Sequence, residues 1–226
     1  MNQEKIWAYF QNEGVASFEA ALPRYRYLLS GLRKHIKSPA TVLNIGVGSG
    51  KLEALLIEAG YRVAALDPDV SAIGKLASMG VDARTGVAKH LPFESGTFDA
   101  VIASEVLEHL DEDHCIQTIS EILRVLKPDG YFLGTVPYRE HLADNLTVCP
   151  HCGERFHRWG HQQTFDESQL VALFKDGFEL VSLSRRVFVV WNVRPMRLLK
   201  SSVKWLLGRM GEQIASPRFY FEFRKS

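Results

Sequence analysis

Three cysteines among 226 residues, no run of about eighteen apolar residues and no internal repeat or low-complexity tract are the first features of this chain. Without the apolar run, a membrane-crossing helix is not expected. The start, Met1-Asn2-Gln3-Glu4-Lys5, lacks the basic-then-apolar plan of a secretory leader. Cysteines this few, two of them in a Cys-x-x-Cys, exclude a disulfide scaffold. They point instead to a reducing, cytoplasmic setting with metal or redox chemistry. Net charge is only +1, so no global field draws nucleic acid, and no nucleic-acid partner is expected.

What is present suits one α/β domain spanning 1–226. A hydrophobic share of 46% can fill a single core at this length. Helical and strand periods alternate along the chain. Helices are expected at 3–10, 16–36, 51–59, 70–79, 113–126, 167–175 and 195–210. Strands are expected near 41–45, 62–66, 81–85, 98–103, 130–136, 178–190 and 218–224. The pattern divides into a helical N-terminal cap (1–37), a cofactor-binding core (38–137), an irregular insertion (138–165) and a C-terminal part (166–226). Ile116, Ile119, Leu123 and Leu126 recur at helical spacing and read as core, with Cys115 as a small buried hydrophobe among them.

The core opens on Val42-Leu43-Asn44-Ile45-Gly46-Val47-Gly48-Ser49-Gly50, and Val63-Ala64-Ala65-Leu66-Asp67 follows. This order reads as strand, glycine-rich turn, helix, and a second strand ending in a carboxylate. Glycines let a nucleoside lie against bare backbone, and an acid at the second strand tip can accept from both ribose hydroxyls. A turn that is merely tight would need the same glycines, but not Asp67 at that place.

These residues resemble the class I S-adenosylmethionine-dependent methyltransferases, and the match continues in register. Leu91-Pro92-Phe93 through Phe98-Asp99-Ala100-Val101 is similar to that family's loop into the fourth strand. Glu105-Val106-Leu107-Glu108-His109-Leu110 resembles the segment leaving it, and Arg124-Val125-Leu126-Lys127-Pro128-Asp129-Gly130 the turn before the fifth. The resemblance implies a Rossmann-like, doubly wound, seven-stranded sheet that holds S-adenosylmethionine. Asn44, Gly46, Gly48, Gly50, Asp67 and Glu105 would be its cofactor-binding residues. Two positions depart from the family: Asn44 and Val87 stand where acids are usual, which leaves the adenine contacts open. A hydroxyl or amine acceptor must also lose a proton, and His109 is the first candidate base, with a structural hydrogen-bonding role as the alternative. A non-catalytic adaptor of the same fold is the rival to an enzyme.

Two segments lie outside that resemblance. Cys149-Pro150-His151-Cys152-Gly153, then His157 and His161, has C-x2-C-x4-H-x3-H spacing. Two thiolates and two imidazoles can close a tetrahedron, so a structural zinc in a knuckle-like insertion is expected. His161 facing the substrate, with His151 on the metal, is the alternative. Farther on, Leu180 to Gly211 contains no Asp or Glu but seven basic residues, from Arg185 to Arg209. The amphipathic helix expected at 195–210 either packs on the core with a solvated basic face or meets an anionic membrane surface. The acceptor is expected to be a small molecule, or a sugar- or lipid-linked compound.

Overall fold

Short apolar runs bounded by glycine and acid, such as Thr41-Val42-Leu43-Asn44-Ile45, form strands that are buried on both faces. The computed structural model describes residues 6, 7, 9, 20–189, 202, 203, 205, 206 and 217–226. In chain order, the main sheet is built from β1 (Thr41–Ile45), β2 (Arg62–Asp67), β3 (Asp82–Thr85), β4 (Phe98–Ser104) and β5 (Leu126–Pro137). A small hairpin, β6 (Leu146–Val148) with β7 (Arg155–His157), stands apart from it. β8 (Phe178–Arg186) and β9 (Arg218–Lys225) complete the main sheet. Its seven strands run in the order β3-β2-β1-β4-β5-β9-β8. The first five are parallel, and β9 is antiparallel to both β5 and β8. The mixed, doubly wound sheet is the architecture the motifs imply.

Helices cover both faces because alternate strand residues point to opposite sides. On one face α1 (Leu22–His35), α2 (Lys51–Glu58) and α3 (Val70–Ala77) pack Leu28, Leu52, Leu56 and Leu76 against Val42, Ala100 and Ile102. On the other, α4 (Glu112–Val125) and α5 (Glu167–Leu173) pack Ile119, Ile122 and Leu170 against Leu43, Val101 and Phe132. The starts of α3, α4 and α5 carry their own caps. Asp69, Asp111 and Asp166 accept from backbone N–H groups in the first turn, with Gln169 closing a capping box at Asp166.

Several boundaries move. The helix expected from residue 16 begins at Leu22, after a turn at Ala20 and Ala21, because Pro23 fits only the first turn. Strand β5 begins at Leu126 rather than 130, and β8 ends at Arg186 rather than 190. The helices expected at 3–10 and 195–210 fall mostly outside the described residues. Ile6, Trp7, Tyr9, Ser202, Val203, Trp205 and Leu206 are helical, and the last four are exposed. No helix among the described residues is long and apolar enough to cross a membrane.

Candidate active site

At the C-terminal edge of β1, β2 and β4 lies a cleft of about 1080 Å³, where open α/β sheets bind ligands. Its floor is the glycine turn. Gly46 has φ +84°, and a Cβ there would come within 2.8 Å of Val106 Cγ2, so only glycine lets the chain pass. Gly46 and Gly48 line the cleft. Gly50 does not: it adopts φ +76° at the start of α2, and a Cβ there would meet Leu76 Cδ2 at 3.1 Å. Its role is to start the helix.

Asp67 is buried at the tip of β2 and lines the same cleft. Its Oδ2 accepts from Val47 N–H at 2.8 Å and its Oδ1 from Asp69 N–H at 2.9 Å. These bonds lock the carboxylate beside the bare backbone at the strand tip. Asn44 is absent from the cleft wall. Its Nδ2 donates to Gly46 O at 3.2 Å and to the buried Glu53 Oε1 at 2.6 Å, so it braces the turn from beneath. Behind Asn44 stands Glu53, whose carboxyl burial pushes up to about 7. At the far end Val87 and Ala88 present apolar walls.

Glu105 leaves β4 with φ +58°, a strained backbone for a residue with a side chain. Its carboxylate meets Arg218 at 2.6 Å and Arg24 at 3.8 Å, residues 113 and 81 positions away. Burial alone would raise its pKa, but Arg218 and Arg24 outweigh burial and bring it to about 2. Among the described residues its Oε1 is buried without a hydrogen-bond partner. A bare glycine floor, a buried ribose-type acid and an orphaned carboxylate oxygen together fit a cationic, ribose-bearing cofactor.

The opposite wall is made by a 3₁₀ turn, Leu107–His109, laced to the segment at 160–163. Gln162 N–H donates to Glu108 O at 2.8 Å, and Gln163 Nε2 reaches Leu107 O and Leu110 O. This brings His109 and His161 edge to face, with ring centroids 4.7 Å apart, while Trp7 covers His109 at 5.2 Å. Burial, and then His161, push His109 down to about 3. Burial therefore favours the neutral imidazole. His161 Nδ1 donates to Glu140, and His157 Nε2 lies 3.5 Å from the same carboxylate.

The expected zinc set is divided. Cys149 and Cys152 sit in the turn of the β6–β7 hairpin, whereas His157 lies at its base, opposite Leu146. Among the described residues no group of three ligand atoms within 4.8 Å of one another joins either cysteine to His157 or His161. The reason lies in the strand pairing. β7 turns His157 inward to Glu140, while the thiols stay beyond the Val148–Arg155 pair, at the hairpin tip. Glu140, Arg24 and Arg218 also belong to the site but have no local sequence signature, since each arrives from a distant element, whereas Glu108 stands beside His109 in the quoted motif without a role read from it.

A model of a methyltransferase domain matches residues 18–183, well over half the chain. The chain belongs to the class I S-adenosylmethionine-dependent methyltransferase family. The chain is similar to a probable S-adenosylmethionine-dependent methyltransferase of Mycolicibacterium smegmatis, 35% identical over 43% of this chain and 38% of that protein. It is also similar to a ubiquinone biosynthesis O-methyltransferase of Methylocella silvestris, 38% identical over 39% of this chain and 35% of the relative. The matched stretch thus spans well under half the length of these curated relatives. A Burkholderia thailandensis 1,6-didemethyltoxoflavin-N1-methyltransferase, solved with that compound and S-adenosylhomocysteine, shares the fold. Its TM-score is 0.69 at 20% identity, over 99% of this family member and 87% of the solved chain.

Proposed function

We propose that this protein transfers a methyl group from S-adenosylmethionine to a small-molecule, sugar- or lipid-linked acceptor that enters the cleft beside His109 and His161. The observation that carries the reading is the buried Asp67 carboxylate locked beside the bare Gly46–Gly48 backbone. When bound, S-adenosylmethionine supplies a methyl on a positively charged sulfur, already activated as a leaving group. The chain's own residues then have to bind, align and keep water out, and alignment of this kind contributes ~7–11 kcal/mol. Asp67 holds the ribose, Gly46 and Gly48 let the backbone approach, and the orphaned Glu105 Oε1 receives an ammonium group. Trp7, Tyr138 and Trp159 line the acceptor half and exclude water there. Oxygen as the accepting atom is supported by the relatives named as O-methyltransferases. A lipid-linked acceptor is supported by the exposed Val203, Trp205 and Leu206.

Calorimetry with S-adenosylmethionine tests the reading directly. Charge-assisted bonds to the ribose contribute about 1.5–3 kcal/mol, so Asp67→Ala is expected to weaken binding by roughly 10- to 150-fold. Equal affinity in wild type and variant, or no binding to either, would reject it. Incubation with labelled methyl donor and a metabolite extract should then yield S-adenosylhomocysteine and one labelled product, which a non-catalytic adaptor would not give.

A further inference from the structure

We infer that Glu108, His109 and His161 form a site for one divalent transition-metal ion, with zinc as the expected occupant, on the acceptor wall of the cleft. One ligand atom from each lies within 4.8 Å of the other two. Proximity alone would carry little, but two independent features of these side chains point to an ion, and a third feature bounds the site.

The first is Glu108. It is 1% exposed, and neither carboxylate oxygen has a hydrogen-bond partner among the described residues. A buried carboxylate without partners is strongly disfavoured, so it either keeps a proton or is joined by a cation. The guanidinium groups of Arg218 and Arg24 pair with Glu105 and act on Glu108 as nearby charges.

The second is where the ring protons must sit. His109 Nδ1 faces Gly160 O at 3.4 Å, and His161 Nδ1 bonds the Glu140 carboxylate. A carbonyl or carboxylate oxygen can only accept, so both rings carry their proton on Nδ1 and keep the Nε2 lone pair. Metal-bound histidines characteristically donate their second N–H to a carbonyl or a carboxylate, and here there is one of each. The third feature is supplied by His157, which marks the boundary of the site. Its Nδ1 accepts N–H bonds from His161 at 3.0 Å and Trp159 at 3.4 Å, which places its proton on Nε2, toward Glu140. A neutral ring in that state has no lone pair to offer an ion there. The neighbouring trio Glu140, His157 and His161 is therefore a support in which Glu140 accepts from the His161 ring, while His157 Nε2 lies 3.5 Å away without a hydrogen bond among the described residues.

Two histidines and one carboxylate beside an open cleft form an unsaturated set, the pattern of metal sites that keep positions for a substrate. Both rings line the cleft. An acceptor oxygen bound to such an ion would have its pKa lowered, so no imidazole need act as base. That role rests on the methyl-transfer reading; the site itself does not.

The test is metal binding by the full chain, loaded with zinc or cobalt(II), dialysed, and assayed by elemental analysis and visible absorption. One ion per chain is expected in wild type and in Cys149→Ser/Cys152→Ser, with no thiolate-to-cobalt charge-transfer band in the latter. Glu108→Gln and His161→Gln should abolish stoichiometric binding. Glu140→Gln, which only frees the His161 ring, should weaken it about 10- to 100-fold. Circular dichroism should stay unchanged in Glu140→Gln, which separates ion loss from misfolding. No ion in wild type, loss only in the cysteine variant, or full binding by Glu108→Gln would overturn the inference. Failure of S-adenosylmethionine to bind a zinc-loaded wild type would instead reject the proposed function and leave this site standing.

Discussion

Two cysteines of this chain show how position sets chemistry at the scale of one residue. Backbone N–H groups of Cys152 and His151 point at Cys149 Sγ and hold its thiol below the usual range. Cys115, by contrast, is enclosed by the α4 core, and burial pushes it up to about 11. Since the thiolate is the nucleophile, iodoacetamide at pH 7.5 should modify Cys149 and leave Cys115 untouched until the protein unfolds. Peptide mass spectrometry checks this, and early labelling of Cys115 would contradict the packing described. The same contrast explains what local spacing conveyed about zinc. C-x2-C correctly foretold a turn that gathers two thiols, because it acts within five residues. The addition of His157 and His161 failed because strand pairing, which spacing does not encode, turned those rings inward.

Among the elements, glycine separates backbone necessity from chance. Gly134 lies in β5, where a Cβ would sit 2.4 Å from Phe221 Cζ and 2.5 Å from Ala103 O. Gly134→Ala should therefore cost about 1–3 kcal/mol in urea unfolding, through overpacking between β4 and β9. Gly74 is interior to α3, and a Cβ there meets nothing within 4 Å. Gly74→Ala should stabilise by roughly 0.5–1 kcal/mol, since alanine loses less backbone entropy in a helix. Opposite signs for the two substitutions are the expected outcome, and equal effects would discount this account of the sheet. Strands β1, β2 and β4 were legible because continuous apolar runs between turn residues have few other uses. The start of α1 and the extent of β5 were less so, since they depend on a proline's place and on edge pairing with β9.

For the whole molecule, the buried Asn44–Glu53 pair couples the cofactor turn to global stability. Burial raises Glu53 from its ordinary 4.5 to about 7, so the folded protein keeps a proton that the unfolded chain loses between those values. The unfolded state then binds fewer protons, and stability falls as pH climbs from about 4.5 through 7. Glu53→Gln should remove that slope and gain at most about 3 kcal/mol at pH 8, less whatever its new amide loses by burial. Denaturant midpoints from pH 5 to 8 measure it, and an unchanged slope would assign the proton elsewhere. The cleft is global in the same sense. Glu105 is held from α1 and β9, and His109 is held by the segment returning from the β6–β7 hairpin.

The sequence by itself determined the doubly wound sheet, the glycine floor and Asp67 at the next strand tip. Each of these follows from interactions among near neighbours: apolar period, backbone freedom at glycine, and the alternation of strand and helix. Only the tertiary structure decided that Asn44 leans on Glu53, that Glu105 is gripped by two arginines, and that the histidines part from the cysteines. Those outcomes turn on charges and ring nitrogens meeting across tens to more than a hundred residues, where burial and pairing set the energy and no local pattern records them.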